Sequence, residues 1–240
     1  MYLENIVIDA VDPLALGRFW EAALGTETLT EQPDNFETRL TVPGGPTLDL
    51  CFQPVPERPA EPQRLHLDLR GAEEQQAVVE RLIGLGASHA DVGQGDVPWV
   101  VLADPEGNPF CVMEERTSYA DTGPLAALPL DVADPERDQA FWAWLTGWEP
   151  VAGSELLSLR DPSGLGPLLE LCPEVAAKAP EKNRMHLDLR LEPGDDADTV
   201  ARDIADHGGR EVFHPEWGEL PWRFYEDPSG NELCVLPAPA

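Results

Sequence analysis

Arg64-Leu65-His66-Leu67-Asp68-Leu69-Arg70 returns as Arg184-Met185-His186-Leu187-Asp188-Leu189-Arg190, with six of the seven residues identical. Working outward, Asp104-Pro105-Glu106-Gly107-Asn108 returns as Asp227-Pro228-Ser229-Gly230-Asn231, and a cysteine, Cys111 or Cys234, stands seven residues after the aspartate in both copies. Pro98-Trp99 matches Pro221-Trp222, Phe19-Trp20 matches Phe141-Trp142, and Asp12-Pro13 matches Asp134-Pro135. Five blocks recurring in one order mark a duplicated unit. The run from Thr117 to Pro124 interrupts the pattern with turn-forming residues, which predicts two tandem domains at 1–118 and 122–240.

Within the first repeat, Leu3 to Val11 reads as a strand, and Asp12-Pro13 starts a helix with Asp at the N-cap and Pro at the first helical position. Leu16, Phe19, Trp20 and Ala23 give that helix an apolar face, and Gly25 ends it. Strand-like pieces near 36–42 and 47–53 precede a proline-rich stretch from Pro54 to Pro62. The pattern then restarts, with a strand at 64–70, a helix at about 72–85 ended by Gly86, and strands at 97–103 and 109–114. Each repeat is therefore a pair of βαβββ modules. Hairpins after each helix argue against a doubly wound parallel sheet. They predict an α+β fold with one sheet per domain, the two modules of each domain forming a curved, antiparallel-rich mixed sheet around a cleft.

Forty-five acidic against sixteen basic residues leave a net charge of −29. Such a field repels phosphate backbones and anionic lipid surfaces, so nucleic acid and membrane partners are disfavoured. No run approaches the roughly 20 apolar residues of a membrane span, and the opening Met1-Tyr2-Leu3-Glu4-Asn5 lacks a basic leader; the expectation is a soluble cytoplasmic protein. Cys51, Cys111, Cys172 and Cys234 show no CxxC spacing and lie in or beside apolar stretches, which fits buried thiols in a reducing compartment.

Strand alternation puts Leu65, Leu67 and Leu69 under a helix and turns Arg64, His66, Asp68 and Arg70 to the opposite face, as it does Arg184, His186, Asp188 and Arg190. Because unpaired buried charges are costly, each row is expected to form a hydrogen-bonded network lining a cavity. The Asp-Pro-x-Gly-Asn segments read as β-turns and nothing more, with Pro109, Cys111 and Met113 on one face and Phe110 and Val112 on the other. Trp20, Trp142 and Trp144 belong to helix faces. Trp99 and Trp222 open strands beside the cleft, and Trp148 and Trp217 stand near loops, where a ring can stack on a flat ligand.

The His-Leu-Asp-Leu strand, the helix ending in Leu85-Gly86-Ala87, the Asp-Pro-x-Gly-Asn turn and the opening helix with Phe19-Trp20 and Leu24-Gly25 together resemble the vicinal oxygen chelate (glyoxalase/bleomycin-resistance) superfamily, in its glyoxalase-like branch. The resemblance spans nearly the whole chain and occurs twice. It implies that metal-dependent relatives carry four ligands, one on the first and one on the last strand of each half, usually His, Glu or Gln. By position these fall on Asn5, Gln53, His66 and Cys111 in the first repeat, and on Ala127, Cys172, His186 and Cys234 in the second. Cysteine stands where the family has glutamate. Hard, oxygen-activating metals want carboxylate and imidazole, so dioxygenase chemistry is disfavoured. Cys172, His186 and Cys234 suit zinc with one open position, although the favoured reading needs no cofactor.

These observations predict a small-molecule binding protein with a degenerate metal site, similar to members that sequester antibiotics or other toxic compounds. The expected ligand-binding residues are Arg64, His66, Asp68, Arg70 and Trp99, with Arg184, His186, Asp188, Arg190 and Trp222. The rival is a metal-dependent lyase or isomerase of the glyoxalase type, with His66 or His186 as general base. Two repeats in one chain can mimic a dimer of single-repeat relatives, so the chain is expected to act as a monomer with pseudo-dimeric domains or as a homodimer.

Overall fold

The computed structural model describes residues 1–58, 63–213, 215 and 218–239. The proline-rich stretch therefore lies partly, and Trp217 wholly, outside the described residues. Four βαβββ modules follow one another. The first comprises β1 (Tyr2–Ala10), α1 (Pro13–Leu24), β2 (Glu27–Gln32), β3 (Asn35–Thr41) and β4 (Thr47–Pro54). The second comprises β5 (Asp68–Ala72), α2 (Gln75–Leu85), β6 (Ser88–His89), β7 (Val100–Ala103) and β8 (Pro109–Glu114). A 3-10 turn, Thr117–Tyr119, leads to the third, with β9 (Leu125–Val132), α3 (Pro135–Thr146), β10 (Glu149–Pro150), β11 (Leu157–Arg160) and β12 (Leu168–Pro173). The fourth has β13 (Met185–Arg190), α4 (Ala197–Asp206), β14 (Arg210–Val212), β15 (Arg223–Glu226) and β16 (Glu232–Leu236).

Local chemistry sets the helix ends. The Asp12 carboxylate accepts from the Ala15 N–H at 3.0 Å, Pro13 follows it, and Gly25 closes α1 in the left-handed conformation. Asp134, Pro135 and Gly147 repeat the device around α3. Inside α1, Gly17 is required by a close approach, since a Cβ there would lie 2.2 Å from the fully buried Phe36 ring.

The class is α+β, with two mixed eight-stranded sheets. Their strand orders are β14-β15-β16-β13-β1-β4-β3-β2 and β10-β11-β12-β9-β5-β8-β7-β6. Each sheet thus takes one module from each repeat, which corrects the expectation of one sheet per domain: the internal repeat defines the modules and does not specify their partners. The terminal sheet joins the first and last modules through the antiparallel pair β1 and β13, and the central sheet joins the middle two through β5 and β9. One continuous core draws Ile6, Leu50 and Leu187 from the terminal sheet and Leu69, Phe110 and Leu128 from the central one, packed with Trp20 and Trp142 of the helices. Strand β5 begins only at Asp68, four residues later than the sequence predicts. Before it, Leu65 makes a single bridge to Leu130, and the Arg64 carbonyl accepts from the Asp131 N–H at 2.8 Å while its side chain takes partners described below.

Candidate functional site

Alternation places the functional side chains as expected for the strands proper. Leu67 and Leu69, like Leu187 and Leu189, are in the core, and His66 with Asp68, like His186 with Asp188, faces away from it. Parallel pairing then sets Cys111 of β8 beside Asp68 and Cys234 of β16 beside Asp188. Phe110 and Val112 take the core side. The result is two like clusters, His66/Asp68/Cys111 and His186/Asp188/Cys234, in each of which the ligating atoms lie within 4.8 Å of one another. His186 Nε2 is 3.3 Å from Asp188 Oδ1 and 3.5 Å from Cys234 Sγ. His66 Nε2 is 3.4 Å from Asp68 Oδ1.

The copies differ in their surroundings. The His186 side chain is 5% exposed, whereas that of His66 is 26% exposed. On the neighbouring strand, Asn5 donates through Nδ2 to Asp188 Oδ2 at 3.2 Å, but the residue opposite Asp68 is Ala127. Glu170 of β12 and Tyr119 also bear on the central cluster. The Tyr119 hydroxyl donates to Glu170 Oε1 at 3.1 Å, and both residues are buried. Burial, with the Asp68 charge second, pushes the Glu170 carboxyl up to about 7. Burial pulls the His66 imidazole down, yet its proximity to Asp68 and the charges of Asp131 and Glu170 outweigh this and leave it above its ordinary value. Burial drives the Cys111 and Cys234 thiols far up, so both stand as thiols rather than as nucleophilic thiolates.

Glu170 and Tyr119 escaped the sequence reading. Their signals were a lone charge inside Leu168-Leu169-Glu170-Leu171-Cys172 and a lone aromatic among the polar residues of the linker.

Other expected positions regroup. Cys172 lies on β12 of the central sheet, while His186 and Cys234 belong to the terminal sheet, so the zinc trio expected from the second repeat does not assemble. Asn5 and Gln53 lie on β1 and β4 of the terminal sheet, apart from His66 and Cys111 of the central one. Both sets were grouped by repeat, and the sheets are built across repeats. Among the described residues the arginines of the expected Arg64–Asp68–Arg70 and Arg184–Asp188–Arg190 networks take other partners. Arg64 donates to Asn231 Oδ1 at 2.8 Å, to the Asp131 carbonyl at 2.8 Å and to Glu174 Oε2 at 2.7 Å. Arg184 donates to Asn108 Oδ1 at 2.9 Å. Arg190 pairs with Glu4 at 2.5 Å, and Arg70 is exposed.

The Asp-Pro-x-Gly-Asn segments are consequently more than turns. Asp104 accepts from the Trp20 indole at 3.2 Å and from Asn108 Nδ2 at 2.9 Å, and Asp227 does the same with Trp142 and Asn231. Each turn therefore binds the first helix of its own repeat and an arginine of the other. Trp148 is in the core rather than at a loop surface. Trp144 stacks on His207 with ring centres 3.9 Å apart. Trp99 donates to Gln94 and lies under the Arg116 guanidinium, and Trp222 packs edge-on against Phe224.

The donor atoms of the two clusters decide which metal they suit. Asp68 Oδ1 and Asp188 Oδ1 are buried and accept no hydrogen bond among the described residues, although each faces an imidazole nitrogen and a thiol. An oxygen, a nitrogen and a sulfur donor fit zinc, and do not fit a hard oxygen-activating ion.

The profile described as "Glyoxalase-like domain" matches residues 5–113 and again 127–236. The chain belongs to this family. The two glyoxalase-like copies place it in the vicinal oxygen chelate superfamily. Glyoxalase I from Zea mays is similar at 16% identity and a TM-score of 0.66, over 98% of this chain and 92% of that one. The cppA protein from Streptococcus pneumoniae is similar at 13% identity and a TM-score of 0.50, over 99% and 98%. Likeness at these identities speaks for the glyoxalase-like fold alone. Among curated proteins none matches the chain. No helix among the described residues is long and apolar enough to cross a membrane.

Proposed function

We propose that the chain binds small molecules on the polar faces of its two sheets and carries out no chemistry on them. The observation that supports this most is a second apolar cluster, Cys111, Met113, Tyr119, Ala127 and Leu168 among its members, set apart from the core and on the same side of the central sheet as His66 and Asp68. An apolar seat beside a buried carboxylate held, among the described residues, only by an imidazole and a thiol suits a compound with an apolar body and an amine or hydroxyl donor. Neutral thiols at the family's glutamate positions argue in the same direction, because they supply neither a base nor a nucleophile. The acidic surface favours cationic ligands, toxic amines or antibiotics included. The protein works in the cytoplasm as a monomer or homodimer, without nucleic acid or membrane partners. A thermal-shift screen of amines and hydroxyl compounds tests this: stabilising compounds should lose their effect in Asp188→Asn or Asp68→Asn. Compounds that stabilise the variants as well as the parent would overturn it.

A second reading is favoured by those same carboxylate oxygens. Residues His186, Asp188 and Cys234, and equally His66, Asp68 and Cys111, would hold zinc, which when bound polarises a carbonyl or acidifies a water, the chemistry of a glyoxalase-type lyase or isomerase. Elemental analysis of protein purified without a histidine tag separates the readings, since stoichiometric zinc lost in His186→Ala supports the enzyme.

A further inference from the structure

The segment joining β8 to β9 enters the central site instead of passing over it. Tyr119 is 1% exposed, and its ring belongs to the apolar cluster with Cys111, Met113, Ala127 and Leu168, while its hydroxyl is bonded to Glu170. The Arg116 guanidinium lies 5.5 Å from the ring centre of Tyr119 and 5.5 Å from that of Trp99, and Glu114 holds it at 2.6 Å. Within the segment the Tyr119 and Ala120 N–H groups donate to the Arg116 and Thr117 carbonyls at 3.0 and 3.2 Å, and Thr122 donates to the Tyr119 carbonyl at 3.0 Å, bonds that can travel with it. Its carbonyls are tied to the central sheet's other half by Arg160, which donates to those of Ser118 at 2.7 Å and Ala120 at 3.4 Å, and by the Gly166 N–H, which donates to that of Asp121 at 3.0 Å. Asp121 sits at φ +63°, in the left-handed region that aspartate enters more readily than most residues with a Cβ, and turns the chain there.

We propose that this segment is a strap in which Tyr119 acts as an internal ligand, occupying the place that an aromatic hydroxyl compound takes when the strap is displaced. The proposal rests on the small-molecule reading above and narrows the ligand class of the central site. Three features of the seat set that class. It is apolar along the ring, it carries a cation at the ring face, and its far end is a buried carboxyl that needs a donor. A ring without a hydroxyl leaves Glu170 buried and unanswered, which is the costly half of a broken hydrogen bond. A ring with one offers Glu170 the same donor and Arg116 the same ring face.

Calorimetric titration of the full chain with p-cresol and toluene tests this. Tyr119→Gly vacates the seat and should bind p-cresol at least tenfold more tightly than toluene, the ratio expected for a hydrogen bond to a buried carboxyl. In the Tyr119→Gly, Glu170→Leu double variant that preference should vanish. Equal binding of the two compounds by Tyr119→Gly, or binding of neither, overturns the proposal. Should Tyr119→Gly fail to fold, Tyr119→Phe keeps the ring and removes only the anchor. It should bind p-cresol at least tenfold more tightly than the parent, and no gain overturns the strap. Ligands that depend on Asp188 are read on the terminal sheet, so loss of the strap and loss of the wider reading are separate results.

Discussion

Replacing Asn231 by alanine should remove a large share of the stability of this fold. Its side chain is buried and makes four contacts: Oδ1 accepts from Arg64 Nε at 2.8 Å and from Asn183 at 3.4 Å, and Nδ2 donates to Asp227 Oδ2 at 2.9 Å and to the Asp131 carbonyl at 3.0 Å. Two of these involve charged partners, each worth about 1.5–3 kcal/mol. Arg64 keeps Glu174 and the Asp131 carbonyl, and Asp227 keeps the Trp142 indole and two backbone N–H groups, so those charges are not orphaned. The loss is therefore about 3–5 kcal/mol, against about 5–15 kcal/mol for a whole domain. Urea unfolding followed by tryptophan fluorescence reads it directly, as a lowered midpoint at unchanged slope. Asn231→Asp sharpens the test. It keeps an acceptor for Arg64 but sets a second carboxylate against Asp227, whose own carboxyl burial pushes up to about 6. It should be weaker than the alanine variant at pH 7 and recover as acid neutralises the pair. A loss below about 1 kcal/mol for Asn231→Ala, or strict additivity with Arg64→Met, would refute the clamp.

Glu170 gives a pH signature. Its carboxyl moves from 4.5 to about 7 on folding, so the native state holds the proton longer than the unfolded chain, and stability should fall by up to about 3 kcal/mol as pH rises across that window; Glu170→Gln should flatten the profile in denaturant titrations, and an unchanged slope would count against the buried carboxyl. The Cys111 and Cys234 thiols should react with an aromatic disulfide reagent only on unfolding, and prompt labelling in the native protein would contradict their protonated, buried state. Gly17→Ala improves helix propensity by about 1 kcal/mol yet should lower the melting temperature, because the new methyl overlaps Phe36 and overpacking costs about 1–3 kcal/mol; a raised melting temperature would show that the ring has room to move.

Much of the fold was legible because the informative signals are local. Asp12-Pro13, Gly25 and the Asp-Pro-x-Gly-Asn turns act within a few residues of themselves, and the Leu-x-Leu-x-Leu alternation decides a face wherever a true strand exists. It does not choose the partners of Arg64 and Arg184, which precede β5 and β13 with their carbonyls still bonded to the Asp131 and Asp9 N–H groups. Their long side chains reach past the strand ends to the asparagine of the opposite repeat. Trp148 was misplaced for a related reason: it follows the helix-ending Gly147, where an apolar residue folds back onto the helix. Nothing local says which module lies beside which, and the ligand sets drawn up by repeat failed on that point alone.

That arrangement also orders the assembly of the molecule. The central sheet closes within residues 68–173, a continuous run that leaves the ribosome together, whereas Leu3 must wait for Leu189. During synthesis β1 to β4 therefore emerge as a half-sheet whose β1 edge has no neighbour until Met185–Arg190 has been made. An unprotected apolar edge held open that long is where newly made chains would stick to one another, and where a chaperone would have most to do.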